Sequence, residues 1–467
     1  TSGNHNTAIG NVALTDVTSG DGHTAIGSFA LNDATTGDNN TAVGFQASRY
    51  LTTASQTTAI GMLAGAGSGG ASVMTGDNNT LVGYSAGKLI TTGDYNNALG
   101  ATALDANTTG RLNIAIGYAA LGANTDGDSN VAIGHAALDA NTTASNNTAI
   151  GTDSLSANTT GALNVAVGVS ALGANTTASD NSAFGVNTLA ANTTGTQNTA
   201  VGTAALDTNT TGGQNTALGL GSMLNGTTGC YNTALGACTL QAVNTGDNNV
   251  AVGRKALFDN TSGHSNTGIG NDGLTNVTSG FNNSSLGFAS GLDLTTGDNN
   301  LLLGHDSGRV NSPSGKLQTQ DNQIVLGDNS ITDLWCADTS ISSSDQRDKT
   351  DVEDFNHGLD FVKKLKPKTY KWDKRTWYVS GDATSEDVLN TVPDGSKKKD
   401  RINIGFMAQD VLALEQEIGF GNNKNDMLFT MLNADDTAYG LKYERLVPVL
   451  VNAIKELSAR VKELEDK

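Results

Sequence analysis

A glycine recurs at every seventeenth position along most of this chain, and each one closes a short apolar pair. The pattern N-T-A-I-G-x-x-A-L-x-x-N-T-T-G-D-N repeats 19 times, from Gly10 to Gly327. The interval lengthens only in the steps from Gly61 to Gly83 and from Gly304 to Gly327. The residue just before the glycine is always Ile, Val or Leu, or once Phe184. The residue before that is Ala in 14 of the 19 copies. Stretches such as Asn107–Gly110, Asn158–Gly161 and Asn192–Gly195 are turn signals. Each copy is therefore expected to form two short strands joined by two tight turns, one rung of a coil. Rungs stacked about 4.8 Å apart would build a rod on the order of 90 Å long.

Composition supports a stacked repeat over a conventional core. The 467 residues include 57 Gly, and aromatic residues make up only 5%. Large side chains are too few for an ordinary globular interior, yet Pro and charge are too scarce for simple disorder. Successive strand residues face opposite ways. Ala at −2 and the branched residue at −1 thus occupy two faces, both apolar. One face fills the coil; the other needs cover, since soluble proteins rarely leave a long apolar stripe in water. Copies of the same chain packed around an axis would give that cover. The alternative is a single solenoid whose outward stripe is only the small Ala.

Charge is unevenly divided. Residues 1–343 hold seven Lys+Arg and 23 acids, all Asp, a net of −16; residues 344–467 carry a net of −3. Absence of Glu before Glu353 argues against helices in the first part. The acidic balance argues against a nucleic-acid or anionic-membrane partner. No apolar run is long enough for a membrane helix. Cys230, Cys238 and Cys336 make no disulfide framework, and Cys230 and Cys238 are read as buried free thiols rather than a pair. The six histidines show no metal-ligand spacing, and no cofactor is expected. The chain opens Thr1-Ser2 with no signal peptide and no Met, and reads as a fragment or a processed product.

The N-x-A-[IVL]-G rung resembles the head repeats of trimeric autotransporter adhesins, a β-roll with three rolls to a trimer. Similar repeats occur in phage tail fibres. The adhesin rung is shorter than the one in this chain, so handedness and loop shape do not carry over. Asp recurs six positions before the glycine at Asp21, Asp38, Asp77, Asp94, Asp128, Asp247 and Asp298. Stacked carboxylates there are weak Ca²⁺ candidates; the plainer reading is a turn Asp bonded to backbone.

After Gly304 the composition changes. A spacer leads to a last rung-like strand ending at Gly327, and from Asp345 the sequence is charged and mixed α/β. Ser344-Asp345-Gln346-Arg347-Asp348-Lys349 resembles the opening S-D-x-R-x-K of the endosialidase-type intramolecular chaperone, the peptidase S74 family. Gly358–Leu365 with Pro367 and Tyr370, then Ile404–Val411, then Tyr443 and Leu446–Leu450 running to Leu457 resemble its later motifs. The resemblance implies a domain that trimerises, assists folding of the fibre ahead of it and cuts itself off. By the same resemblance the cut falls between Ser343 and Ser344. Ser344 is then the nucleophile, Lys349 the general base and Asp345 an orienting or electrostatic group. A serine attacks once a base takes its proton, and a desolvated lysine can be that base. From the hexapeptide alone, the plainer reading of Ser344-Asp345 is a helix N-cap. Val447, Leu450, Ile454, Leu457, Val461 and Leu464 are spaced 3, 4, 3, 4, 3, the seam of a short coiled coil or equally the apolar face of an ordinary amphipathic helix.

The expectation is a mainly β chain. Residues 1–304 form a 17-residue-repeat β-solenoid or β-roll shaft, trimeric. Residues 305–343 form a spacer with a last strand. Residues 344–467 form a small α/β chaperone domain, closing in a helix over 446–467. The expected function is a virion tail fibre, made in the host cytoplasm, with the shaft itself not an enzyme. Its partners would be two further copies, other tail proteins and a host-surface receptor, a glycan or an outer-membrane component. Alternatives are an autotransporter-type adhesin head and a glycan-degrading tailspike. The first should end in membrane-spanning strands; the second lacks any Glu before residue 353.

Overall fold

The computed structural model describes residues 2–67, 73–331, 333, 346–380 and 383–467. They divide into two compact units, Thr1–Asn283 and Ser284–Lys467.

The first unit is a parallel β-solenoid. Its strands β1 (Thr7–Ile9) through β16 (Thr267–Ile269) are each three residues long. Every strand pairs in parallel with the next, equivalent residue to equivalent residue, as in Ala98↔Ala115 and Ile116↔Ile133. The insert before Gly83 leaves the register intact, because Thr58 still pairs with Thr80. Sixteen rungs at about 4.8 Å span roughly 70 Å.

Among the described residues each repeat contains one strand, not the two expected. On the far side of the glycine the backbone alternates through left-handed conformations, as at Thr102 (φ 55°) and Leu104 (φ 56°). Such residues cannot continue a pleated strand. They still bond rung to rung: Thr102 N–H donates to Tyr84 O at 2.8 Å and Leu104 N–H to Ala120 O at 3.0 Å. Non-glycine residues in this region each cost roughly 1–2 kcal/mol. A lone rung is therefore strained, and only stacking repays it.

The interior is narrow. Ala at −2, Ala at +3 and Leu at +4 fill it, as Ala98, Ala103 and Leu104 do in one rung. Glycine closes the strand for two reasons at once. At Gly100, φ is 148°, and a Cβ would sit 2.2 Å from the carbonyl oxygen of Gly117 on the next rung.

Two columns of buried asparagine hold the turns. In the first, Asn113 N–H donates to Asn96 Oδ1 at 3.1 Å, and Asn113 Nδ2 donates to Gly127 O at 2.9 Å. This ladder runs unbroken from Asn79 to Asn283. The second column links Asn107, Asn124, Asn141, Asn158, Asn175, Asn192 and Asn209 through side-chain amides at 2.8–3.2 Å. Buried amides satisfied on every side make each rung's shape depend on its neighbours.

The strand faces settle which stripe points outward. Ala at −2 is buried and the branched residue at −1 is exposed: Leu99 is 51% exposed, Ile9 60%. An outward stripe made only of Ala is thereby overturned. The outward columns at −1 and −3 carry no charged residue.

The second unit opens with three more rungs, β17 (Ser284–Leu286), β18 (Leu301–Leu303) and β19 (Ile324–Leu326), again parallel. A mixed module follows. It holds α1 (Leu359–Lys364), β20 (Lys368–Tyr370), α2 (Ser385–Asn390), β21 (Asn403–Gly405), α3 (Ala408–Glu417), β22 (Thr430–Leu432), β23 (Tyr439–Leu441) and α4 (Leu446–Glu465). β20 pairs antiparallel with β21, and β22 with β23.

Candidate functional site

The residues expected to carry chemistry belong to the second unit and its mixed module. Its core is Phe361 on α1, Val411 on α3, Phe429, and Leu446 and Val449 on α4. Segments far apart in sequence thus share one small interior. Glu415, fully buried on α3, ties it together. Its Oε1 accepts the N–H groups of Leu428 and Phe429, and its Oε2 accepts Thr430 N–H at 3.2 Å and the Thr430 hydroxyl at 2.7 Å. A buried carboxylate is tolerated when its lone pairs are filled in this way.

Three of the four motif segments converge here. Gly358 starts α1, and Leu359 N–H donates to Glu456 Oε2 of α4 at 3.3 Å. Phe406 N–H donates to the Tyr443 hydroxyl at 3.0 Å. A Cβ on Gly405 would meet that hydroxyl at 2.4 Å, which is why the segment has glycine there. Asn452 Nδ2 donates to Phe355 O, holding α4 to the chain ahead of α1.

The fourth segment carries the expected cut. Ser343, Ser344 and Asp345 lie outside the described residues. Just after them comes a 3₁₀ turn, Gln346–Asp348, in which Lys349 N–H donates to Gln346 O at 3.3 Å. Arg347 and Lys349 are both exposed in the single chain.

Helix α4 presents two apolar faces. Leu446, Val449 and Ala453 are buried against the module. The six seam residues point away from it: Val447 is 56% exposed, Ile454 63% and Leu464 70%, with Leu450, Leu457 and Val461 close to half.

The module also grips the last coil. The coil's insert carries an ion cluster: Arg309 Nη1 lies 2.9 Å from Asp306 Oδ1, Arg309 Nε 3.5 Å from Asp293, and Lys316 Nζ 3.4 Å from Asp293. Ala434 N–H donates to Ser314 O at 3.0 Å, and Lys316 N–H to Asp435 Oδ2 at 3.1 Å. Past β19, Asn329 Nδ2 donates to Thr376 Oγ1 at 2.8 Å, and Trp377 Nε1 donates to Asn329 O at 3.1 Å. Lys374 Nζ donates to Asn329 Oδ1 at 3.3 Å and sits 5.0 Å from the Trp372 ring centre. Burial pushes the Lys374 ammonium below the ordinary lysine range, with Asp328 opposing. None of these grips was read from the sequence. Trp372 and Trp377 are scarce aromatics and were the available signal.

In the shaft, the Asp column serves the backbone. Asp21 Oδ1 accepts Asn4 N–H, Asp38 accepts Asp21 N–H, Asp77 accepts Ser55 N–H and Asp94 accepts Asp77 N–H, at 2.6–2.9 Å. Asp128 and Asp247 do the same for Arg111 and Cys230. Among the described residues no group of three His, Cys, Asp or Glu is placed to hold a metal ion. Cys230 and Cys238 are free thiols, half-buried rather than buried, and Cys336 lies outside the described residues.

Residues 344–419 match the family model described as peptidase S74, chaperone of endosialidase. The match begins at Ser344 and takes in α1 and α3 with the motifs on them. No curated protein and no solved structure matches the chain.

Proposed function

We propose that this chain, a 17-residue-repeat β-solenoid joined to a chaperone-of-endosialidase domain, is a bacteriophage tail fibre that works as a homotrimer. The observation that carries the proposal is α4: one face is packed on its own module while a complete heptad seam stands unpartnered in water. A helix offering that seam is stabilised by copies of itself. The uncharged outward stripe at −1 and −3 of the shaft asks for the same cover.

The need for a chaperone follows from the rung. Each rung is strained alone and is rewarded only by its neighbours, so nucleation is costly. Three identical rows of short strands also set no register of their own, and a slip by one rung repeats the same pairing. A C-terminal trimer gripping the last coil would fix the starting register for all three chains.

In this reading Lys349 takes the Ser344 hydroxyl proton as that oxygen attacks the Ser343 carbonyl carbon, with Asp345 orienting the pair. The Ser343–Ser344 C–N bond breaks with the proton passed on to the Ser344 amine, and water then hydrolyses the ester so formed to separate the pieces. A lysine acts as a base when water is kept from it. Lys349 is exposed in the single chain, so a neighbouring copy would supply that cover. After the cut the shaft would stay on the virion and meet a host-surface glycan or outer-membrane component, with other tail proteins holding it in place.

Light scattering on the full chain with Ser344→Ala tests the trimer. Three copies of a 47.7 kDa chain are expected. A monomer at micromolar concentration would remove the basis of the proposal.

A further inference from the structure

The first asparagine ladder has one titratable member. His23 occupies the column held by Asn in most rungs, four residues before Gly27, and is 1% exposed. Its backbone N–H donates to Asn6 Oδ1 at 2.8 Å, as any ladder residue would. Its ring then takes the role of the amide. Nδ1 accepts Asn40 N–H at 3.3 Å, so that nitrogen must carry a lone pair and the proton must sit on Nε2. Asn40 uses its Nδ2 to donate to Ala54 O at 2.7 Å. The Nε2 of His23 is directed at the Gly37 carbonyl, the counterpart of the Ala54 oxygen that Asn40 reaches, but its geometry is too poor for a well-formed hydrogen bond.

The ladder is short here. At the next position Asn40 Oδ1 still accepts Thr57 N–H at 2.9 Å, but the buried Thr57 hydroxyl has no partner. The rungs at Asn6, His23 and Asn40 thus form their own segment, separate from the unbroken run that starts at Asn79.

We propose that His23 is an acid-labile seam in the shaft, neutral and bonded at neutral pH, and parted from the next rung when mild acid protonates its ring. A second proton on Nδ1 would face the Asn40 N–H, donor against donor, on a residue only 1% exposed. Asp21 and Asp38 are the charged groups whose fields reach the ring, and both favour its protonation; burial opposes it more strongly and holds the ring below the usual histidine range. The sign follows. Above pH 6.5, His23 is neutral whether the rungs are closed or open, and the closed form carries no penalty. Below that, the open form binds a proton the closed form refuses, so closure weakens as pH falls until the closed-state value is reached.

Hydrogen exchange on the full chain at pH 7.5 and pH 5.5, corrected for intrinsic rates, tests the seam. Amides of residues 6–43 should lose protection by up to about tenfold per pH unit below 6.5, while residues 96–266 keep theirs. His23→Asn restores the ladder amide and should abolish the difference; His23→Gln serves as a second variant. Unchanged protection of residues 6–43 in the wild type would overturn the proposal. So would the same pH dependence in His23→Asn or His23→Gln.

Discussion

The side-chain oxygen of Asn147 accepts the backbone N–H of Asn164, one rung later, at 3.0 Å. The same contact recurs rung after rung, and it converts a repeated polar residue into the device that fixes spacing. Asn164 in turn accepts Asn181 N–H at 3.1 Å and donates to Ala178 O at 2.8 Å. Asn164→Ala strands the buried Asn181 N–H at about 1–3 kcal/mol and takes from Ala178 O one of its two donors, leaving that of Asn175 Nδ2. Thermal unfolding of the full chain should show a clear loss of stability. Asn164→Asp should be worse, because it removes the donor and buries a charge.

Gly151 and Gly221 both have positive φ, yet they should respond differently to Ala. At Gly151, φ is 136° and a Cβ would lie 2.4 Å from Gly168 O. Gly151→Ala should yield little folded protein. At Gly221, φ is 58° and nothing lies within 4 Å, so Ala costs only the left-handed penalty of about 1 kcal/mol. Soluble yield and melting temperature distinguish the two.

Glu415→Ala removes the acceptor for three backbone N–H groups and the Thr430 hydroxyl. Several unsatisfied buried donors at about 1–3 kcal/mol each exceed what so small a module can lose. The full chain should then be recovered as aggregate, whereas Glu417→Ala, on the exposed end of α3, should fold.

Ile454→Asp on the outward seam and Val449→Asp on the inward face of α4 separate assembly from folding. The first should give a folded module of reduced oligomeric order by light scattering. The second places a charge in the core and should prevent folding.

The repeat was legible because its determinants are local. Gly100 at positive φ, Ala98 inside and Leu104 inside all recur at a fixed spacing, and a fixed spacing implies stacking. The chaperone motifs were legible because Gly358, Gly405 and Tyr443 are set by close contacts that few residues satisfy. The inward turn of the asparagines was not legible. Asn107 in a turn signal looks like a solvated turn residue, and its burial depends on Asn124 of the next rung. Nor was the loss of the second strand, since Leu104 and Thr102 are poor candidates for left-handed backbone until the stack imposes it. The hold on Asn329 by Trp377 joins residues 48 apart, with no periodicity to betray it.

A chaperone that removes itself must cut the peptide bond between Ser343 and Ser344. Intact-mass analysis of the purified wild-type chain should show a C-terminal fragment made of residues 344–467, a little over a quarter of the 47.7 kDa whole. Ser344→Ala and Lys349→Ala should each leave the chain whole. A wild-type chain that stays intact, or a fragment that persists in Ser344→Ala, would contradict the claim that this shaft carries a chaperone that removes itself.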